Sequence, residues 1–532
     1  MFSFKKTIIS LVVFMMSQTV SSGSALDLSK TESTTETRFL QQGREEVFEL
    51  QAETGDYIEL GWQVNSGRFN LDSINRLTGA HIRRFVSSNA GRSPFLLVVE
   101  DAPINLKVSA IETGHYTLSI IKKVGSEHQN IKQTEYLSPR IANLADQLKS
   151  GDSTDAFWSE IEQKGTPLIE DNGNNKSILT FLARGARAGV RLLGAPTSNH
   201  EELEQLAGSD VWFKSFVVPN TTRLSYQLAV DVPVISGTWM ERRRAILATL
   251  AADPLNKHPW PADAIDPYNQ HSTVLLPAAE PGHFLGNQTV AKGQVTHSKI
   301  ESKALGNKRD IWLYRSAGYE ASKTTAPLLI MFDAEHYNDR ISVPDILDNM
   351  VADGAIPPLA TVFVSHIDSK TRTQELPNNA QFAAFVAEEL LPFAQAELGI
   401  SATPERTILA GSSFGGLASS TISLRYPQHF GNVLSISGSY WYSEENDENY
   451  VANLIANTPR QDIRFFLSAG LFEKSVGGGD RGILQSNQHL RDVLIARNYE
   501  VKLEAYAAGH DLFSWQTILS DGLVFLIGKG AP

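Results

Sequence analysis

Ser413 stands in Gly411-Ser412-Ser413-Phe414-Gly415, a Gly-x-Ser-x-Gly pentapeptide fed by the apolar run Ile408-Leu409-Ala410 and followed by Gly416-Leu417-Ala418. A serine hydroxyl attacks a carbonyl only when a base takes its proton and donors receive the oxyanion that forms. It must also be exposed on a sharp turn, which a strand-to-helix junction provides when glycines let the two segments approach closely. The helix behind such a turn points its N–H groups and positive dipole end at the oxyanion. Residues 406–410 read as a buried strand, and residues 416–425 as a helix ending before Tyr426-Pro427. The pentapeptide therefore has the context that a nucleophilic serine requires.

In this arrangement the acid and the base follow the serine in chain order. Three histidines lie beyond Ser413: His429, His489 and His510. His510 is in Gly509-His510-Asp511, directly after the strand pattern of residues 501–507, where a base is delivered to the nucleophile. His429 lies in a packing segment between helix and strand, and His489 in a helical pattern. The acid stays open at this level. Strand 465–469 runs into Gly470-Leu471-Phe472-Glu473, which favours Glu473; Asp480, after Gly477-Gly478-Gly479, is the rival, and a Ser–His dyad is the third option. The oxyanion donors are expected to be the backbone N–H of Phe414 and that of Glu335, in the loop Asp333-Ala334-Glu335-His336-Tyr337. No His-Glu-x-x-His, Gly-x-x-x-x-Gly-Lys-Ser/Thr or Gly-x-Gly-x-x-Gly pattern is present in a suitable setting, so no metal and no cofactor is expected.

The elements that must carry these residues alternate. From residue 291 to 532, strand patterns at 311–314, 328–332, 360–364, 407–410, 433–437, 463–469 and 501–505 are separated by helical ones, including 380–398 and 486–498. This predicts an α/β hydrolase C-terminal domain with a mostly parallel sheet. Two β-sandwich domains are expected before it. Residues 26–130 open with a Ser/Thr/Glu linker and continue as short alternating strands broken by turns such as Glu53-Thr54-Gly55-Asp56. Their closing segment, Glu112-Thr113-Gly114-His115-Tyr116, resembles the last strand of small domains appended to secreted bacterial peptidases. Residues 135–290 begin with helical patterns and then return to strands, which run out near Asp253-Pro254-Leu255-Asn256. A proline-rich connection follows, with Pro254, Pro259, Pro261, Pro267, Pro277 and Pro281.

The compartment is also written in the chain. Lys5-Lys6, the apolar run Thr7 to Met16 and small residues Ser21 to Ala25 read as a secretory signal over residues 1–25. Without a cysteine near the cleavage site no lipid anchor is expected, and no later segment has the length of a membrane span. The chain has 0 cysteines, which excludes disulfides and a thiolate nucleophile. A formal charge of −12 argues against nucleic-acid partners and anionic membranes.

Longer segments carry a family resemblance. Phe157-Trp158, Gly165-Thr166-Pro167-Leu168-Ile169, Gly208-Ser209-Asp210-Val211-Trp212 and Ala252-Asp253-Pro254-Leu255-Asn256 belong to the first part. Leu329 to Glu335, Ile367-Asp368, Arg372, Glu375-Leu376-Pro377, Glu389-Leu390-Leu391-Pro392, Ser437 to Trp441, Glu473 and Gly509-His510-Asp511 belong to the second. From Phe157 onward the chain resembles the enterochelin esterase family, whose members hydrolyse the ester bonds of catecholate trilactone siderophores. Ala334 departs from the family's glycine in the oxyanion-side loop. The resemblance implies a small-molecule partner, a ferric tris-catecholate, cut by Ser413 with His510 as base to release dihydroxybenzoylserine units. Such a trianion needs local cations, for which Arg372 is the first choice, while Tyr440 and Trp441 are the candidates to stack on catechol rings. With the signal, it implies work in the periplasm. A feruloyl- or carbohydrate-type esterase on the same fold and a non-enzymatic siderophore-binding protein are the competing readings.

Overall fold

The structure, a computed structural model, describes residues 35–88, 95–99, 102–125, 136–194, 196–197, 200–206, 208–233, 235–286, 288–319, 326–444, 446–474 and 482–529. The expected secretory signal and Asp480 lie outside these residues. The chain divides into two compact units, residues 1–135 and 136–532.

In the first unit, two long strands, Tyr57–Asn75 and Ile104–Val124, pair antiparallel along their length and take different neighbours at each end. Tyr57–Leu60 lies beside Phe95–Val98 and Leu71–Ile74 beside His81–Val86, while the other long strand meets Glu45–Glu49 and Thr35–Leu40. The expected pair of sheets is therefore joined by hydrogen bonds into one six-stranded sheet. Its ladder shifts register between Val64 and Arg68, the place where bulges bend a sheet. A Cβ on Gly114 there would lie 2.0 Å from the Ser66 carbonyl oxygen. Ile58, Phe69, Leu106 and Tyr116, drawn from both ends of the long strands, share one core.

The second unit opens with helices Pro139–Lys149 and Asp155–Lys164, the first capped by the Ser138 hydroxyl accepting the Ile141 N–H. Two antiparallel sheets follow. One contains Leu168–Asp171, Lys176–Arg184 and Val211–Pro219; the other is built around Val190–Gly194, Arg223–Val230 and His271–Leu275. Phe181, Leu192, Val218, Tyr226 and Val274 join them in one core. The proline-rich stretch is thus more than a connection. His271–Leu275 pairs with Arg223–Tyr226, and Pro259–Trp260 adds an edge. The prolines hid this strand because they flank it, at edge and turn positions where no N–H is missed.

The catalytic sheet has eight strands: β1 (Gln294–Ser302), β2 (Asn307–Arg315), β3 (Leu328–Phe332), β4 (Ala360–Val364), β5 (Thr407–Ser412), β6 (Asn432–Ile436), β7 (Arg464–Gly470) and β8 (Glu500–Tyr506). Their spatial order is β1-β2-β4-β3-β5-β6-β7-β8, parallel from β4 onward, with an antiparallel hairpin at one edge. The central strands are buried on both faces and read as continuous apolar runs. Helices cover one face with Phe382, Phe385, Ala418 and Ile422, and the other with Ile346, Met350, Ile518 and Leu519. The helical stretch 380–398 contains a wider i→i+5 turn over Phe385–Leu390, just before Pro392, whose missing N–H interrupts the regular ladder. Among the described residues no helix is long and apolar enough to cross a membrane.

Candidate active site

Ser413 sits between β5 and the helix Phe414–Arg425, with φ 56° and ψ −120°. A non-glycine residue holds such a conformation only where its surroundings impose it. Here the imposition is visible on both sides of the turn. A Cβ on Gly411 would lie 2.7 Å from the Gly415 carbonyl carbon, and one on Gly416 would lie 2.4 Å from Ser435 Oγ. The Ser413 N–H is tied to Ile436 O at 3.0 Å, and its carbonyl accepts the Ser439 N–H at 3.1 Å. These contacts leave the hydroxyl at the carboxyl end of the sheet, half-buried, 3.2 Å from Ser439 Oγ. Phe414 opens the helix, so its N–H is one of those without an intrahelical acceptor and is free for an oxyanion.

Glu473 and His510 are brought together although 37 residues separate them. β7 and β8 are adjacent, and the loops at their ends meet. Glu473 is fully buried and its Oε1 lies 2.5 Å from His510 Nδ1. Its other oxygen accepts the Gly470 N–H at 2.5 Å and the Ser437 hydroxyl at 3.0 Å. Three donors thus converge on the buried carboxylate and fix its orientation. Trp515 completes the setting: its ring meets the imidazole edge-on at 4.7 Å, and its Nε1–H bonds to Ser437 Oγ at 3.1 Å. The His510 side chain stays 28 % exposed, and Glu473 engages its Nδ1, so Nε2 is the nitrogen that would take the serine proton. In the resting state Ser413 pairs with Ser439 rather than His510; catalytic bonds of this type tighten when substrate binds.

The loop after β3 is held by charges. Asp333, in left-handed backbone at φ 61°, receives both arms of Arg372, Nε at 2.6 Å and Nη2 at 2.7 Å. Burial works against its charge, yet the bonds from His366 and Arg372 hold its pKa down at about 2. Glu335 turns its carboxylate to His366, accepting the backbone N–H at 3.1 Å with Oε2 3.0 Å from Nδ1. Burial raises the Glu335 pKa. The bond to Asp333 raises the His366 pKa.

Two expected binding residues are placed elsewhere. Arg372 is on a short helix, Ser369–Glu375, not on an open loop, and its charge is matched by Asp333. Tyr440 is 4 % exposed, with its hydroxyl bonded to Ser420 Oγ at 2.6 Å and Ser435 Oγ at 2.8 Å, so no ring face reaches a ligand. Its ring packs over Gly438, where a Cβ would lie 2.5 Å from the Tyr440 Cε2. Trp441 is partly exposed and lies 5.8 Å from the Phe414 ring, beside the nucleophile. Ser437, Ser439 and Asp333 lie in segments that carry the resemblance but have no role assigned from sequence, and His366 and Trp515 have no sequence signal at all.

A family model described as the enterochelin esterase N-terminal domain matches residues 178–283, and one described as a putative esterase matches residues 302–526. The iron(III) enterobactin esterase of Yersinia enterocolitica is 30 % identical, over 53 % of this chain and 87 % of the relative. That of Dickeya dadantii is 29 % identical, over 74 % of this chain and 97 % of the relative. The solved enterobactin esterase from Shigella flexneri, obtained in the presence of enterobactin, superposes with a TM-score of 0.57 at 25 % identity, covering 70 % of this chain and 97 % of that one. Fold and matches together define a carboxylic ester hydrolase with an α/β-hydrolase-like catalytic domain. The chain belongs to the enterochelin esterase family.

Proposed function

We propose that this chain hydrolyses the ester bonds of a ferric catecholate trilactone siderophore, with Ser413 as nucleophile, His510 as base and Glu473 as the acid that orients it. The observation that carries the reading is the His510–Glu473 pair beside an elbow serine, in a chain whose relatives are named for iron(III) enterobactin. Ser413 Oγ exchanges Ser439 for His510 as its partner and attacks the ester carbonyl. Its proton passes to His510 Nε2, and the resulting imidazolium is stabilised by Glu473. The carbonyl oxygen, now an anion, is received by the Phe414 N–H and a donor from the 333–337 loop, each contributing about 3–4 kcal/mol to the transition state. His510 then protonates the departing seryl oxygen, and a water activated by the same imidazole splits the acyl-enzyme.

Arg372 is better cast as the residue that sets the oxyanion-side loop than as a siderophore cation, since Asp333 already binds both its arms. Trp441 is kept as the candidate to stack on a catechol ring, supported by its partial exposure next to Phe414. The basic and apolar leader supports export, and we place the reaction in the periplasm, where cutting the trilactone weakens the multidentate hold on iron before transport. The domain borders read from the sequence, 26–130, 135–290 and 291–532, are kept as the working division, with no catalytic part for the first. The test is the ratio of kcat/KM for ferric enterobactin to that for methyl ferulate. A ratio well above 10² supports the siderophore reading; a ratio below one assigns the site to feruloyl-type esters.

A further inference from the structure

His510 is carried by an irregular segment between Tyr506 and the helix Leu512–Ile527, so no secondary structure of its own fixes the imidazole. The catalytic domain holds one side of this segment, through Phe472 N–H to Ala508 O at 3.2 Å and Glu473 to the ring. The other side is held by the strand Arg223–Val230 of the two-sheet domain. Arg223 donates its backbone N–H to Ala507 O at 3.1 Å and accepts the Ser514 hydroxyl at 2.9 Å. Its Nε bonds to Phe513 O at 3.0 Å, and the guanidinium lies 3.9 Å from the Phe513 ring centroid. Two residues along, the Ser225 hydroxyl donates to Asp511 Oδ1 at 3.1 Å. Asp511 is the neighbour of His510 and also caps the next helix, accepting the Ser514 N–H at 3.0 Å.

Arg223 is costly to keep. It is 7 % exposed, and desolvation lowers its pKa to about 10. Among the described residues no carboxylate lies within ion-pair distance of it; its donors go to main-chain oxygens of Phe513 and Glu280. An aliphatic side chain would fill this boundary without the desolvation cost. What the arginine adds is direction, because its planar fork fixes the carbonyls it meets.

We infer that the two-sheet domain is a working part of the catalytic machinery: Arg223 and Ser225 are positioning residues that set the His510 loop from outside the catalytic domain. The inference rests on His510 being the base. A misplacement of about 1 Å at a reacting group costs up to about 10²-fold in rate, so a latch on the residue next to His510 has leverage that an ordinary packing contact lacks.

The test uses full-length mature protein and p-nitrophenyl butyrate, which makes it independent of the siderophore assignment. Ser225→Ala and Arg223→Met are each expected to lower kcat by about tenfold to thirtyfold with KM within twofold. Ser225→Thr, which keeps the hydroxyl, should restore most of the rate. The downfield Nδ1–H proton signal of His510 should broaden in the two damaging variants and stay sharp in Ser225→Thr. If Arg223→Met fails to fold, Ser225→Ala decides alone. Unchanged kcat with an unchanged Nδ1–H signal, or a rate loss no larger than the fall in folded fraction, overturns the inference. Loss of all esterase activity in wild-type protein would instead refute the serine-hydrolase reading.

Discussion

Glu473→Gln probes the triad most sharply, because the substitution keeps the volume and removes only charge and one acceptor. Three donors converge on this carboxylate: His510 Nδ1–H, the Gly470 N–H and the Ser437 hydroxyl. A glutamine amide has a single oxygen. If that oxygen faces Gly470 and Ser437, the amide NH₂ meets His510, and the imidazole must move its proton to Nε2, where it can no longer accept one from Ser413. If the amide turns round, two buried donors on the other side lose their acceptor, at about 1–3 kcal/mol each. In both cases the imidazolium of the transition state loses its buried counter-charge. The combined loss is about 3–5 kcal/mol, or between about 10² and 10⁴ in kcat, with folding preserved. The assay is steady-state hydrolysis of p-nitrophenyl butyrate by Glu473→Gln beside Asp480→Asn, with circular dichroism as the control for folding. Asp480→Asn should stay within threefold of wild type. A loss below tenfold in Glu473→Gln would refute the triad and favour a Ser–His dyad.

Other outcomes follow from the same contacts. Asp333, held at about pKa 2 by His366 and Arg372 against its burial, has a folded value below the unfolded one. Its stabilisation, about 2 kcal/mol, is therefore complete above about pH 4 and is lost as pH falls toward 2. Urea unfolding should show Asp333→Asn weaker by at least that amount at pH 7, with the gap closing toward pH 2.5; a pH-independent gap contradicts the ion-pair account. Tyr440→Phe should cost about 1–2 kcal/mol of stability and leave KM within twofold, as its hydroxyl serves Ser420 and Ser435 inside the core. A severalfold rise in KM would return Tyr440 to the binding surface. A chain starting at Tyr136, the border of the second compact unit, should keep ester hydrolysis within severalfold of the mature protein. Loss by orders of magnitude in a folded product would make the first unit part of the site.

The nucleophile turn was legible because everything it needs is local: an apolar strand, glycines at the crossing and a helix start within a dozen residues. His510 was legible from chain order and from its place after β8, and Glu473 from its distance to the end of β7. Partnerships across the sheet were not. Arg372 looked like a free cation because its carboxylate, Asp333, is 39 residues earlier on another loop. Tyr440 looked available for stacking because an aromatic beside a serine run gives no sign that its ring packs over Gly438 and its hydroxyl reaches Ser420 and Ser435. The Trp515–Ser437 bond that braces the catalytic pair joins residues 78 apart, a pairing that only the folded sheet creates. In the second unit the strand His271–Leu275 is not legible in the sequence because flanking prolines dominate the local pattern, whereas its place is set by pairing with Arg223–Tyr226.

The central claim is that Ser413 opens a siderophore trilactone. Ferric enterobactin incubated with the mature protein, and separately with Ser413→Ala, should be followed by liquid chromatography and mass spectrometry. Wild type should convert the cyclic trimer to linear products and dihydroxybenzoylserine, each cut adding one water, while Ser413→Ala retains binding and forms less than a thousandth of the product. Intact ferric enterobactin after prolonged incubation with wild type, or turnover by Ser413→Ala within tenfold of wild type, would contradict the account.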